Sequence, residues 1–192
     1  MQKNATGGNS GKMNNKNSQS PAASLSPAEN LVSVTHPASS SAKNRQISPM
    51  QAAMEEARAA EARGEVPIGA VITHKNRIIA RAGNRTREIN DPTAHAEILA
   101  IRIACEVLEN ERLGDCDLYV TLEPCAMCAA AISFARIRRL YYASSDPKGG
   151  GVEYGPRFYS QPTCHHAPEV YSGIGEAEAT DMLKRFFQEK RK

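Results

Sequence analysis

The spacing of apolar and polar positions changes several times along the chain, and each change marks an element. After Ser48-Pro49, residues Met50, Ala53, Met54, Ala57 and Ala60 recur at helical spacing. This predicts a helix capped by Ser48, entered through Pro49 and stopped at Gly64. Ile68-Gly-Ala-Val-Ile-Thr and Arg77-Ile-Ile-Ala-Arg are apolar runs separated by Lys75-Asn76, so they read as the two strands of a hairpin. Asp91-Pro92 opens a second helix, with Ile98, Ile101 and Ala104 inward, running to about Glu109. Leu118-Tyr-Val-Thr is a third strand, Pro124 begins a third helix ending near Ala135, and Arg139-Leu-Tyr-Tyr-Ala is a fourth strand. Residues 144–167 carry Gly149-Gly-Gly and three prolines, which predicts a loop with short helical turns. Glu169-Val-Tyr reads as a short fifth strand, and 176–191 as a terminal helix with Ala179, Met182, Leu183 and Phe186 inward. The order α-β-β-α-β-α-β-(β)-α predicts an α/β fold: a mixed sheet, five-stranded with the Glu169 strand, carrying helices on both faces.

Composition divides the chain in two. Residues 1–46 are rich in Asn, Ser, Ala and Gly and hold no aromatic residue. Such a segment buries too little apolar surface to offset its ordering entropy, so it reads as a disordered tail. A transit peptide, or a start at Met50, is an alternative reading. Residues 47–192 form the domain. The tail holds five basic residues against one acidic, and the remainder nineteen against twenty, so the net charge of +3 belongs to the tail. Within the domain, 47–123 holds nine basic against thirteen acidic residues, whereas 124–192 holds ten against seven. The basic residues of that second part gather in clusters: Arg136, Arg138 and Arg139; Lys148 and Arg157; and Lys184, Arg185, Lys190, Arg191 and Lys192. This polarity suits a phosphate-binding flank, although a basic terminal helix also reads simply as a solvated face. No apolar run of about 18 residues exists, which excludes a spanning helix. Five cysteines without a disulfide pattern fit a reducing, cytoplasmic setting.

Two short motifs carry the chemistry. His95-Ala-Glu97 lies in the opening turns of the second helix, and Pro124-Cys125-Ala-Met-Cys128 at the start of the third. Cysteines at i and i+3 project from one helical face and can reach one ion. A helix N-terminus favours thiolate over thiol. His95, Cys125 and Cys128 make three ligands, and a closed structural zinc site needs four. The count therefore points to a catalytic zinc with one open position for water, and to Glu97 beside it as the proton carrier. Two other readings stand against this. Cys125 and Cys128 alone form a redox motif, and Cys105, Cys116 or His74 could close a structural zinc site. Cys105 shares a helix face with Ile98 and Ile101 and reads as core; Cys116 reads as part of a turn before a strand. His165-His166 read as loop histidines near substrate.

These motifs resemble those of the bacterial tRNA-specific adenosine deaminases, of the cytidine/deoxycytidylate deaminase superfamily. The resemblance spans roughly residues 50–190. It rests on Glu65-Val-Pro-Ile-Gly-Ala-Val-Ile, Asn84-Arg85, Asp91-Pro-Thr-Ala-His-Ala-Glu, Val120-Thr-Leu-Glu-Pro-Cys-Ala-Met-Cys and the Phe186-Phe187 helix. Cytosine, guanine and riboflavin-pathway deaminases share the metal motifs. Thr121-Leu122-Glu123 looks less like guanine deaminases, and the tight Cys125–Cys128 pair less like the riboflavin-pathway enzymes. The loop 149–167 departs from the family pattern. The resemblance implies a cytidine-deaminase-like three-layer α/β/α sandwich, one Zn2+ per subunit and a homodimer. It implies conversion of wobble adenosine to inosine in the anticodon arm of an arginine tRNA, by attack of zinc hydroxide at C6. It also implies that Asn84 bonds the flipped base, that Ile68 packs on its face, and that Asp146 lies near the preceding nucleotide. The bland readings of Asn84 and Asp146 are turn residues. Alternative functions are a deaminase of free guanine or cytosine, and a non-catalytic zinc-stabilised binding module.

Overall fold

The computed structural model describes residues 47–191; the expected disordered tail over 1–46, and Lys192, lie outside them. Helix α1 (Pro49–Ala62) begins as its sequence predicts. The Ser48 side chain accepts the Gln51 N–H, the Gln51 side chain answers the Ser48 N–H, and Gly64 leaves at φ +79°. Met50, Ala53, Met54, Ala57 and Ala60 are all buried. Strands β1 (Gly69–His74) and β2 (Arg77–Gly83) form the hairpin, and Lys75 and Asn76 both adopt positive φ, as a two-residue turn of matching twist requires. After α2 (Ala96–Leu108) come β3 (Cys116–Leu122), α3 (Ala126–Phe134), β4 (Arg139–Ser144), a single 3-10 turn at Phe158–Ser160, β5 (Glu169–Ser172) and α4 (Glu176–Glu189).

The sheet order is β2-β1-β3-β4-β5, antiparallel across β2-β1-β3 and parallel across β3-β4-β5. Strand alternation divides the core between two faces. Val71, Ala143 and the α1 and α4 residues Met54 and Met182 pack on one face. Ala70, Ile72, Leu118, Leu140 and Tyr142 pack on the other, against Leu99, Ala100, Ala129 and Ile132 of α2 and α3. The result is the three-layer α/β/α sandwich with a five-stranded mixed sheet. Gly69 is required where α1 lies on β1, because a Cβ there would collide with the Ala53 carbonyl.

Several strand ends move by one or two residues, and four further differences bear on the site or its frame. The second helix starts at Ala96, not at Asp91-Pro92. Asp91 Oδ1 instead accepts the Thr93 N–H (2.7 Å) and hydroxyl (2.6 Å), closing a local turn that ends before the helix. The third helix starts at Ala126, with Cys125 as its extended N-cap and Pro124 before it. Cys116 is the buried first residue of β3 rather than part of a turn. The terminal helix closes at Glu189. Parallel β3 and β4 end side by side, and the chain leaving their C-terminal ends forms the site, the usual place for a ligand in such a sheet.

Candidate active site

His95 and Cys125 hold equivalent positions: each is the N-cap of its helix, with extended backbone (ψ 151° and 172°) and no side-chain cap hydrogen bond. An N-cap side chain ordinarily folds back onto the first turn. Here both side chains are released toward each other, and Cys128, in the first turn of α3, joins them. The Cys125 and Cys128 sulfurs lie 3.7 and 3.5 Å from His95 Nδ1, and the three donor atoms fall within 4.8 Å of one another. Among the described residues no fourth His, Cys, Asp or Glu joins this group. His74 and Cys116 sit opposite each other in the β1–β3 register, and Cys105 packs on the core from α2.

The electrostatics fit a shared cation. The hydrogen bond from the Cys128 thiol, with His95 beside it, brings Cys125 down to about 4 despite burial. Cys128 is driven up, first by holding the proton it shares with Cys125 and then by burial. The bond to Cys125 raises His95. One imidazole nitrogen and two sulfurs, one already anionic, are a donor set suited to zinc.

Glu97 stands in the first turn of α2 and is 4% exposed. Burial pushes its carboxyl above the ordinary range, and its Oε2 is buried without a hydrogen-bond partner. The hydroxyls of Tyr142 and Tyr159 share that state, but burial drives both further above the already high phenol range, which leaves Glu97 as the acid of the three. A buried acid with one unpartnered oxygen, beside three side chains that could hold a metal, has the makings of an acid–base group.

The α2 N-terminus is capped from outside the helix. Asn84 Oδ1 accepts the Ala96 N–H at 2.8 Å, and the Asn84 N–H reaches the Ile68 carbonyl at 3.0 Å. Asn84 is thus buried and joined by a backbone bond to Ile68. Ile68 and Asp146 line one cavity of about 650 Å³, with Leu122, Lys148, Lys184 and Phe187 also in its wall. Asn84, His95, Glu97, Cys125 and Cys128 do not line it. Asp146 Oδ1 accepts the Lys148 and Gly149 N–H groups, as a turn residue does. His166 Nε2 lies 2.7 Å from the Ile137 carbonyl, a contact inside the fold, and His165 is exposed.

Several expected basic contacts are spent inside the protein. Arg138 makes a two-pronged pair with Asp117, Arg139 pairs with Glu169, Arg136 donates to the His165 carbonyl, and Arg157 to the Glu153 carbonyl. Lys148, Lys184 and Arg191 instead line the cavity. Lys192 lies outside the described residues.

Two buried carboxylates escape sequence reasoning. Glu65 accepts the Thr86 hydroxyl and the Arg87 and Glu88 N–H groups, and so holds the loop behind Asn84. Glu123, next to Pro124-Cys125, accepts four backbone N–H groups of the loop 146–154. Both stand in motifs that carry the family resemblance, but neither motif indicates what these carboxylates bind.

The sequence profile of the MafB19-like deaminases matches residues 44–191. The chain is 68% identical over 142 residues to the tRNA-specific adenosine deaminase of Agrobacterium fabrum, covering 74% of this chain and 93% of that protein. It is 45% identical over 141 residues to the enzyme of the same name from Rickettsia bellii, covering 72% and 97%. It superposes with a TM-score of 0.70 on a solved structure from work on A-to-I editing by tRNA:A34 deaminases at the wobble position of transfer RNA. That match is 68% identical and covers 70% of this chain and 98% of the other.

Proposed function

This chain belongs to the tRNA-specific adenosine deaminases, within the MafB19-like deaminase family, and from that premise we propose that it is a zinc hydrolase converting wobble adenosine to inosine in an arginine tRNA. The observation that carries the reading is the convergence of His95, Cys125 and Cys128 with the buried Glu97, whose Oε2 has no hydrogen-bond partner. Those three side chains would hold the ion. Zinc, when bound, supplies the Lewis acidity that makes an activated water available near neutral pH.

Glu97 would take one proton from the attacking water and deliver it to N1 of adenine as the C6–O bond forms, then take the remaining hydroxyl proton of the adduct and deliver it to the amine that departs as ammonia when the C6–N bond breaks. Burial favours this role, because a carboxyl raised above its ordinary range holds a proton more readily and so serves as donor as well as acceptor. Asn84 has committed its carbonyl oxygen to the Ala96 N–H, so its amide NH2 is left to donate to an acceptor on the extruded base. Ile68, joined to Asn84 through the backbone, packs on the base face. Asp146 lies along the RNA next to the target. Lys148, Lys184 and Arg191, on the cavity wall, meet phosphates of the anticodon arm.

A homodimer accompanies this reading. Val107 on α2 is 52% exposed and Phe134 on α3 is 69% exposed, large apolar side chains on the same helical layer. Among the described residues no helix is long and apolar enough to cross a membrane; a tRNA substrate places the work in the cytoplasm. The test is to incubate zinc-loaded protein with an arginine anticodon stem-loop bearing wobble adenosine, and separately with free guanine and cytosine. Inosine in the RNA and no ammonia from the free bases is the expected result. Ammonia from guanine or cytosine with an unaltered RNA would overturn it.

A further inference from the structure

Glu123 is 2% exposed, yet all its partners are backbone donors. Oε1 accepts from the N–H groups of Val152 (3.1 Å), Glu153 (2.9 Å) and Tyr154 (3.1 Å), and Oε2 from that of Asp146 (3.0 Å). Four donors from one loop thus converge on a single carboxylate, in the manner of a backbone nest around a bound anion. The anion belongs to the chain itself and sits two residues before Cys125.

The surrounding backbone is shaped for this contact. Cys125 and Gly150 form an isolated antiparallel bridge, and the Gly151 N–H donates to the Pro124 carbonyl at 2.8 Å. A Cβ on Gly150 would stand 2.5 Å from the Glu123 carboxyl, and one on Gly151 would stand 2.6 Å from the Ala126 nitrogen. Both glycines are buried, so the loop closes onto the metal-bearing turn only without side chains there. At the far side of the same carboxylate, Asp146 turns the loop into the wall of the cavity with Lys148.

We infer that Glu123 is a positioning residue of the reaction: its carboxylate clasps the loop 146–154 to the turn that carries Cys125, and so fixes the RNA-facing wall relative to the reacting centre. This rests on the deaminase reading above. Glu123 touches neither the base nor the metal donors; it acts through Asp146 and through the chain leading to Cys125.

The two oxygens do different work, and that makes the inference testable. A glutamine at 123 keeps one acceptor oxygen for the three N–H groups of 152–154 but turns an NH2 toward the Asp146 N–H, where donor meets donor. In zinc-loaded Glu123→Gln, amide exchange at Asp146 should accelerate about ten-fold or more, while 152–154 stay protected. KM for the anticodon stem-loop should rise about ten-fold, with kcat within roughly three-fold and zinc content unchanged. Gly150→Ala, which displaces the carboxylate without removing its charge, should raise KM in the same way. Leu113→Ala, a core change in the turn before β3, is the control for lost stability: it should lower Tm yet leave KM within about two-fold. Unchanged Asp146 exchange and KM in Glu123→Gln would overturn the inference, as would a KM rise in Leu113→Ala equal to that in Glu123→Gln. If the unmodified protein fails to deaminate the RNA, the functional reading falls. The exchange pattern then decides the clasp alone: selective opening at Asp146 upholds it, and uniform opening or none overturns it.

Discussion

The turns at His95 and Cys125 and the cavity wall at β4 and α4 lie at the same end of the sheet but are built on different principles. The first is placed by secondary structure. Two helix N-caps and one first-turn residue converge, and each is fixed by the backbone bonds of its helix. The second is placed by a loop and by long side chains on a solvated helix, and is held by one internal carboxylate. On the proposed function, chemistry that tolerates little misplacement would sit on helix ends, and contacts to a charged, deformable polymer on parts that can yield. Substitutions in the first region should therefore act on turnover, and those in the second on apparent affinity.

The largest effect falls on the metal. Cys128→Ala removes one of the three donors found among the described residues, so zinc content by metal analysis should fall well below one per chain and activity should vanish with it. Glu97→Gln should retain zinc while kcat drops by about 10²- to 10⁴-fold, the range for a lost acid–base group. Turnover near the unmodified level would move the proton role elsewhere. Asn84→Ala removes both the outside cap of α2 and the NH2 donor. We expect kcat/KM to fall about ten- to hundred-fold and Tm to fall by an amount corresponding to about 1 kcal/mol. Loss of stability without loss of kcat/KM would reduce Asn84 to a cap.

The cavity wall should respond more gently. Lys184→Ala should raise KM only a few-fold, and should lessen the steepness of the log KM against log salt plot by about 0.7, the share of one phosphate contact on a single strand. An unchanged salt slope would remove Lys184 from the RNA surface and blur the division between the two regions.

The same division governs what the sequence makes legible. The proposed metal triad is written in two short motifs because each needs fixed residue types at fixed spacing. Helix α1 and the Lys75-Asn76 hairpin are equally local, resting on a cap, a proline and a two-residue turn. The starts of α2 and α3 are less legible. Asp91-Pro92 and Pro124 both look like helix openings, while the true N-caps, His95 and Cys125, lack the side-chain caps that ordinarily mark such positions. Those side chains face each other instead of the backbone. Glu65 and Glu123 leave almost no local trace, since their partners lie 21 to 31 residues away. Arg138 and Arg139 cluster in sequence as a basic patch, but β3 and β5 bring Asp117 and Glu169 against them. Charge clusters read from sequence omit partners supplied by the sheet.

The central claim is that a single ion is held by one imidazole and two sulfurs, with Glu97 outside its coordination. X-ray absorption at the zinc edge of the loaded protein tests it most directly. The account predicts two sulfurs at about 2.3 Å, one imidazole nitrogen at about 2.0–2.1 Å and one further light atom, with a spectrum unchanged in Glu97→Gln. A third sulfur, a second imidazole, or a light-atom shell lost in Glu97→Gln would contradict it.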